Sequence, residues 1–435
     1  MKTKKDRLFV LFLLLISITI FVLLINSFFT AVLVISLFAL YFAVLFLLIY
    51  FFYPKTAIRL KTPSRYPSVA VVTYAFNNWE PIEKTIKELL KLKYPKPFKI
   101  HVITDGSCNF LKKYPIKIIT IPKEYFKNRL NVKATIMNLG LKKINAEYLF
   151  CIDGDTIPEP NALINMIPFL EEKGVVVVNG FLVPSNTNNL ITKLQALEYN
   201  FSWGLYQRIM GAMNSISVAV GGMCLIQKKA FDEVGGYDET NVTEDREIIY
   251  RFREKGYKFK FSEESRGYTE VPETLKKLYK QRQRWFYGEI DTATKHRKFY
   301  FNKNHNVFGI FALPYTLFLQ LLSISVLFRL ADFIYHKYII SNYYLAIEMI
   351  KQSYYIGFNF ALPIYFPSTT FFWMIIFIFT LLLMFVGFTH SKFKLSPRYY
   401  FAFFIFIFFY NLYLGVIYIL ALIQNLIGDF KWEKS

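Results

Sequence analysis

Cysteine is scarce in this chain: three residues among 435, at Cys108, Cys151 and Cys224. Their odd number and unpaired spacing exclude a disulfide framework and carry no zinc signature, so they read as buried thiols in a reducing compartment. Acidic residues are few beside basic ones, 31 against 52, leaving a formal charge of +21. That excess admits nucleic acid, an anionic membrane surface or the positive-inside bias of a membrane protein. There is no internal repeat and no low-complexity tail. The most informative absence is local: from Leu8 to Tyr53 no residue is charged. A secretory signal has an apolar core of only about 7–15 residues, so the run reads as retained membrane helix. At about 20 residues per crossing it fits two helices joined near Asn26, Ser27 and Thr30.

What is present points the same way, for 54% of the residues are hydrophobic and 19% aromatic. Lys2, Lys4, Lys5 and Arg7 precede the N-terminal helix pair (1–54), and Lys55, Arg59, Lys61 and Arg65 follow it in a Lys- and Pro-rich linker (55–67). Both ends of the pair are therefore expected in the cytoplasm, with the segment that follows. A C-terminal region, 307–435, holds apolar stretches at about 307–328, 369–388 and 399–423, each long enough to span. Lys392, Lys394 and Arg398 place the loop between the last two inside and 329–368 outside. Within 329–368 an apolar part broken by Gly357, Asn359 and Pro363 fits a re-entrant segment or a sixth span. With the positive residues at membrane borders, no nucleic-acid partner is expected.

Residues 68–306 read as an α/β domain. Val69 to Thr73, Ile100 to Thr104, Lys117 to Ile121, Tyr148 to Ile152, Val175 to Val178 and Val220 to Ile226 have the β-branched and aromatic content of strands. Ile82, Ile86, Leu89 and Leu90 recur at helical spacing between the first two. Strand, helix and strand in this rhythm predict a mostly parallel sheet, whose ligands bind beyond the carboxyl ends of the strands. Asp105 and Asp153 fall just past two such ends.

Asp153 and Asp155 flank Gly154, a spacing that presents two carboxylates to one hard cation such as Mg²⁺ or Mn²⁺ on a diphosphate; taken alone, Asp-Gly is ordinary turn chemistry. Asp105, in Asp105-Gly106-Ser107, can hydrogen-bond a base or ribose. Lys133, opening a helical stretch that runs to Leu141, can put a cation on a phosphate. Gly221 and Gly222 let a sugar approach the backbone. Thr243 is a plausible N-cap for a helix from Glu244 to Lys255, and Asp245 in its first turn suits a general base at the mouth of a cleft. Gln281, Arg284 and Trp285 share one helix face: Trp stacks on a pyranose and Arg neutralises a diphosphate. Periodicity alone favours another reading of the helix near 272–290, in which Leu275, Lys276, Lys277, Leu278, Lys280, Arg282 and Arg284 lie on anionic lipid.

In this order the motifs resemble the membrane-integrated inverting glycosyltransferases of family 2, above all the processive branch of cellulose, hyaluronan and poly-N-acetylglucosamine synthases. The resemblance covers about Val69 to Trp285. It implies a GT-A-like nucleotide-sugar-binding domain inserted between N-terminal and C-terminal transmembrane helices, in a multi-pass protein of the cell membrane with a cytoplasmic catalytic domain. It also implies a nucleotide-sugar donor contacted by Asp105, Asp153 and Arg284, with the metal and diphosphate on Asp153 and Asp155; beside it, the reading of the residues expects a UDP-linked donor, Lys133 on its phosphate, and Mg²⁺ or Mn²⁺. Asp245 is then the base, with Gly221, Gly222, Glu244, Gln281 and Trp285 on the side of a glycan or lipid-linked acceptor. The alternatives are transfer of one sugar to a polyprenyl phosphate and, from another class, a non-catalytic membrane scaffold or transporter.

Overall fold

The computed structural model describes residues 62–320, apart from 78, 127, 128 and 220, together with 368–428 and a few isolated positions. The predicted N-terminal helix pair, most of the linker and most of 329–368 lie outside the described residues.

Eight strands form one sheet: β1 Val69–Ala75, β2 Lys99–Thr104, β3 Lys117–Thr120, β4 Tyr148–Ile152, β5 Thr156–Pro158, β6 Val175–Pro184, β7 Met223–Gln227 and β8 Lys258–Thr269, in the order β3-β2-β1-β4-β7-β6-β8-β5. The longer helices are α1 Ile82–Leu89, α2 Val132–Leu141, α3 Leu190–Phe201, α4 Glu244–Glu254 and α5 Leu275–Lys295, then α6 Phe308–Gln320, α7 Ser368–Ser391 and α8 Pro397–Ile427. Strands β1 and β4 are apolar on both faces because both faces are covered. α1 buries Ile82, Thr85, Ile86 and Leu89, one stripe at helical spacing. α2 lies so close to the sheet that a side chain on Gly140 would overlap Ile103 of β2.

The sheet is mixed, which corrects the expectation of a mostly parallel one. Parallel pairing holds along β3-β2-β1-β4 and between β6 and β8. β7 runs antiparallel to both β4 and β6, and β5 antiparallel to β8. The physical reason is the connection: after β6 the chain makes a helical excursion through α3 and returns into the sheet from the same end it left, so β7 runs back against β6 and β4. β8 was not anticipated. Its sequence, KFKFSEESRGYT, alternates apolar and charged residues, and some of the charges are satisfied by tertiary pairing: Glu263 lies 2.5 Å from Arg208, and Arg266 donates to the Ser391 carbonyl at 2.8 Å.

Among the described residues α8 is the one helix long and apolar enough to cross a membrane. α5 packs along α8. Gln283 Nε2 donates to Gln424 Oε1 at 2.8 Å, Tyr413 Oη to the Leu275 carbonyl at 3.2 Å, and Phe286 meets Tyr418 edge-on at 5.4 Å. Leu278 and Arg282 are buried, while Leu275, Lys276, Lys277 and Lys280 at the start of the helix are exposed.

Candidate active site

The carboxyl ends of β1 and β4 and the first turns of α2 and α4 meet at one point. Asp153 follows β4, and its Oδ1 accepts from Lys133 Nζ at 2.9 Å and from Tyr74 Oη at 3.0 Å. Tyr74 stands next to last in β1, and the Lys133 ammonium lies 5.1 Å from its ring centroid. Lys133 is the second residue of α2, whose N-cap is Asn131: Oδ1 accepts from the Ala134 amide at 3.0 Å. The other end of the same side chain donates to the Asn241 carbonyl at 2.8 Å and to Glu244 Oε2 at 2.7 Å. Glu244 Oε1 lies 3.4 Å from Lys133. The buried Glu244 thus faces α2 and its lysine.

Asp245, the next residue of α4, takes a different direction. Its Oδ2 accepts from the Gly221 amide at 3.3 Å. A Cβ on Gly221 would lie 3.1 Å from both this oxygen and Lys133 Nζ, so the missing side chain is what lets carboxylate and ammonium draw together. At Gly222 a Cβ would strike Leu182 at 2.7 Å, a packing constraint. Thr243, expected to cap α4, makes no side-chain cap; its hydroxyl donates to Asn241 Oδ1 at 3.1 Å.

Burial pushes the Asp245 carboxyl up to about 6, with repulsion from Glu244 adding to it and Lys133 and Arg284 opposing it. Asp155 is also pushed up to about 6, by the desolvation of its carboxyl and then by Asp153. Burial works against the Lys133 ammonium, yet Asp153, Tyr74, Glu244 and Asp245 outweigh it and hold its pKa well above the usual lysine range. Tyr74 is raised by burial and by Asp153 and stays a neutral donor.

Asp105 closes a neighbouring loop at the end of β2. It accepts from the Ser107 hydroxyl at 2.5 Å and amide at 3.1 Å and from the Asn77 amide at 3.3 Å, with Lys123 3.4 Å away. Burial would raise its pKa; the Ser107 hydrogen bonds prevail and lower it. Asn77 belongs to the turn after β1, so this loop borders the Tyr74 cluster. On α5, Arg284 Nη1 donates to the Val242 carbonyl at 3.3 Å, beside Asp245. Gln281 Oε1 is buried with no hydrogen-bond partner among the described residues. The Trp285 ring lies 4.3 Å from the Arg282 guanidinium.

Lys133, Asp153, Gly221, Glu244, Asp245 and Arg284 are therefore brought together, with Asp155 beside them. Tyr74 and Asn131 were missed by sequence reasoning. The signals were there: a tyrosine at the strand end flanking both aspartate loops, and an Asn one residue before a helical stretch. Among the described residues no group of three or more His, Cys, Asp or Glu side chains surrounds one point. Asp155 Oδ1 accepts from the Thr156 and Thr269 hydroxyls at 3.3 and 3.5 Å, and burial and then the Asp153 charge raise its carboxyl; a hard divalent cation would relieve the repulsion between the two, with water and a diphosphate completing its shell. On that chemistry the pair fits such an ion.

The profile of glycosyl transferase family group 2 matches residues 148–422, well over half the chain. The chain belongs to glycosyl transferase family group 2. Within the family it is 31% identical over 254 residues to the poly-beta-1,6-N-acetyl-D-glucosamine synthase of Staphylococcus aureus, and 30% over 258 residues to that of Staphylococcus epidermidis. Each match covers 55% of this chain and 60% of the relative's length. A mannosyltransferase from Pyrobaculum calidifontis, solved with GDP-Man and Mn²⁺, aligns over 87% of this chain and 99% of its own at a TM-score of 0.54 and 14% identity. That likeness is one of fold, and it makes the domain GT-A-like.

Proposed function

We propose that the protein is a membrane-bound inverting glycosyltransferase that moves a sugar from a UDP-linked donor onto the growing end of a glycan, with a cytoplasmic catalytic domain. In this reading it is a multi-pass protein of the cell membrane, its domain lies between N-terminal and C-terminal helices, and the latter carry the product outward. The observation that carries the reading is Asp245, a carboxyl at the first turn of a helix, raised to about 6 and set against Gly221 opposite the Lys133–Asp153 pair. A base near neutrality is what deprotonating a sugar hydroxyl requires. The polymer-forming names of the staphylococcal relatives support chain growth over single addition.

Asp245 takes the proton from the acceptor hydroxyl as its oxygen attacks the anomeric carbon on the face opposite the diphosphate. The new carbon–oxygen bond forms as the old one breaks, and the electron pair leaves with the nucleoside diphosphate. Lys133 and Arg284 offset the charge that develops there. Asp153 and Asp155 would hold Mg²⁺ or Mn²⁺, which supplies further positive charge for the leaving group. Glu244 and Asn131 hold Lys133 in place. Asp105 faces the nucleoside; Gly221, Gly222, Gln281 and Trp285 form the acceptor side, to which the buried Glu244 contributes only indirectly.

The test is to incubate purified protein with Mn²⁺ and radiolabelled UDP-sugars and to size the products. Wild type is expected to form a polymer, and Asp245→Asn to lose about 10²–10⁴-fold in rate. Full activity in a folded Asp245→Asn protein would sink the mechanism. A single sugar entering the butanol phase would replace chain growth with transfer to polyprenyl phosphate.

A further inference from the structure

We propose that Arg282 is a positioning residue for acceptor binding: held by Glu198 and Tyr410, it orients the Trp285 indole and ties it to the membrane helix α8. This rests on the reading of Trp285 as an acceptor platform. Arg282 is 3% exposed, and its Nη2 donates to Glu198 Oε2 of α3 at 2.7 Å. The hydroxyl of Tyr410, on α8, donates to the same oxygen at 2.7 Å. The guanidinium carbon lies over the Trp285 ring at 4.3 Å from its centroid.

The plain alternative is a structural lock joining α3, α5 and α8. A lock needs the ion pair and the tyrosine, but it has no use for the indole. Arg282 and Trp285 are three apart on α5 and share a helix face. The planar cation covers one side of the ring, so a pyranose can stack only on the other. The chain therefore dictates which face of the platform is offered and at what tilt. The neighbouring Gln281 carries a second sign: its Oε1 is buried without a hydrogen-bond partner among the described residues. A buried acceptor atom left open is costly, and at i and i+4 Gln281 shares a face with Trp285. A sugar hydroxyl arriving over that face would satisfy it. Glu198 and Tyr410 thus set the register between the acceptor bed and α8.

The experiment uses full-length protein in detergent, with UDP-N-acetylglucosamine and GDP-mannose as donor probes and a β-linked N-acetylglucosamine tetramer as acceptor probe. Hydrolysis of the donor by water reports the donor site alone, and transfer at rising tetramer concentration gives the acceptor KM. Tyr410→Phe keeps the volume and removes one charge-assisted hydrogen bond; Arg282→Lys keeps the charge and loses the planar stack. Both are expected to raise the acceptor KM about tenfold with donor hydrolysis held within about twofold. The double variant should be no worse than the poorer single one, since both act through one path. An unchanged acceptor KM in both variants, or donor hydrolysis falling in step with it, overturns the proposal. If wild type neither hydrolyses nor transfers from either donor, the glycosyltransferase reading itself fails and the positioning role falls with it.

Discussion

Glu244 and Asp245 are adjacent carboxylates with opposite fates. About 100° apart on the first turn of α4, one points to Asn131 and Lys133 and the other to Gly221. Their repulsion is part of what lifts Asp245 to about 6, so kcat/KM for transfer should rise as pH climbs through about 6 and then level off. Lys133 opposes that lift, and Lys133→Met should move the acid limb of the profile to higher pH while lowering the rate. A limb that stays put would remove Asp245 as the titrating base. The same shift acts on stability with a fixed sign. The folded state holds this proton more tightly than the unfolded one, so its contribution is undiminished below about pH 4 and is withdrawn as pH rises through about 6. Asp153, Asp155, Asp245 and Arg284 were legible as candidates, because their spacings suit the chemistry proposed for them. Tyr74 and Asn131 carried only a weak signal, a tyrosine at a strand end and an asparagine ahead of a helix, and neither points to a role until β4 and α4 are placed beside them.

At the scale of elements, the domain meets α7 through close crossings. The segment following α3 passes α7 at Gly204, where a methyl group would overlap the Gly387 carbonyl oxygen. Arg266 of β8 then donates to the Ser391 carbonyl at 2.8 Å and the His390 carbonyl at 3.4 Å, satisfying the end of α7. Gly204→Ala should cost about 1–3 kcal/mol through overpacking, read as a lower thermal midpoint in detergent. Gly387→Ala, whose nearest neighbour would lie 3.1 Å away, should cost less. Equal stability of wild type and Gly204→Ala would mean that α7 does not seat there. Strands such as Tyr148–Ile152 were legible because a doubly buried strand must be apolar throughout. β8 was not, because its charges are neutralised by partners on Arg208 and α7 that are remote in sequence.

For the whole molecule, the site lies where the β1 and β4 ends face the mouths of α2 and α4, and α5 links it to α8. Metal dependence belongs at this scale, because a cation proposed on Asp153 and Asp155 would need a substrate diphosphate to complete its shell. Chelation with EDTA is expected to abolish sugar transfer, and Mn²⁺ or Mg²⁺ to restore it, as measured by incorporation of labelled sugar. Transfer that persists in excess EDTA would take the metal out of the reading. The +21 charge is what remains after pairing, and some basic residues of the amphipathic stripe are not part of that excess: Arg282 is buried on Glu198, so a basic residue on such a stripe cannot be assumed to face lipid.

By itself the sequence determined the apolar strands, the helical stripe of α1, the order of the acidic and basic motifs and the family resemblance they carry. These are local properties, written in periodicity and spacing. Only the tertiary structure decided the reversed direction of β7, the turning of Glu244 toward Lys133, the approach of Asp245 to a bare glycine and the burial of Arg282 beneath Trp285. Each depends on which distant segment arrives next to a residue, and side-chain charge, burial and pKa follow from that neighbour.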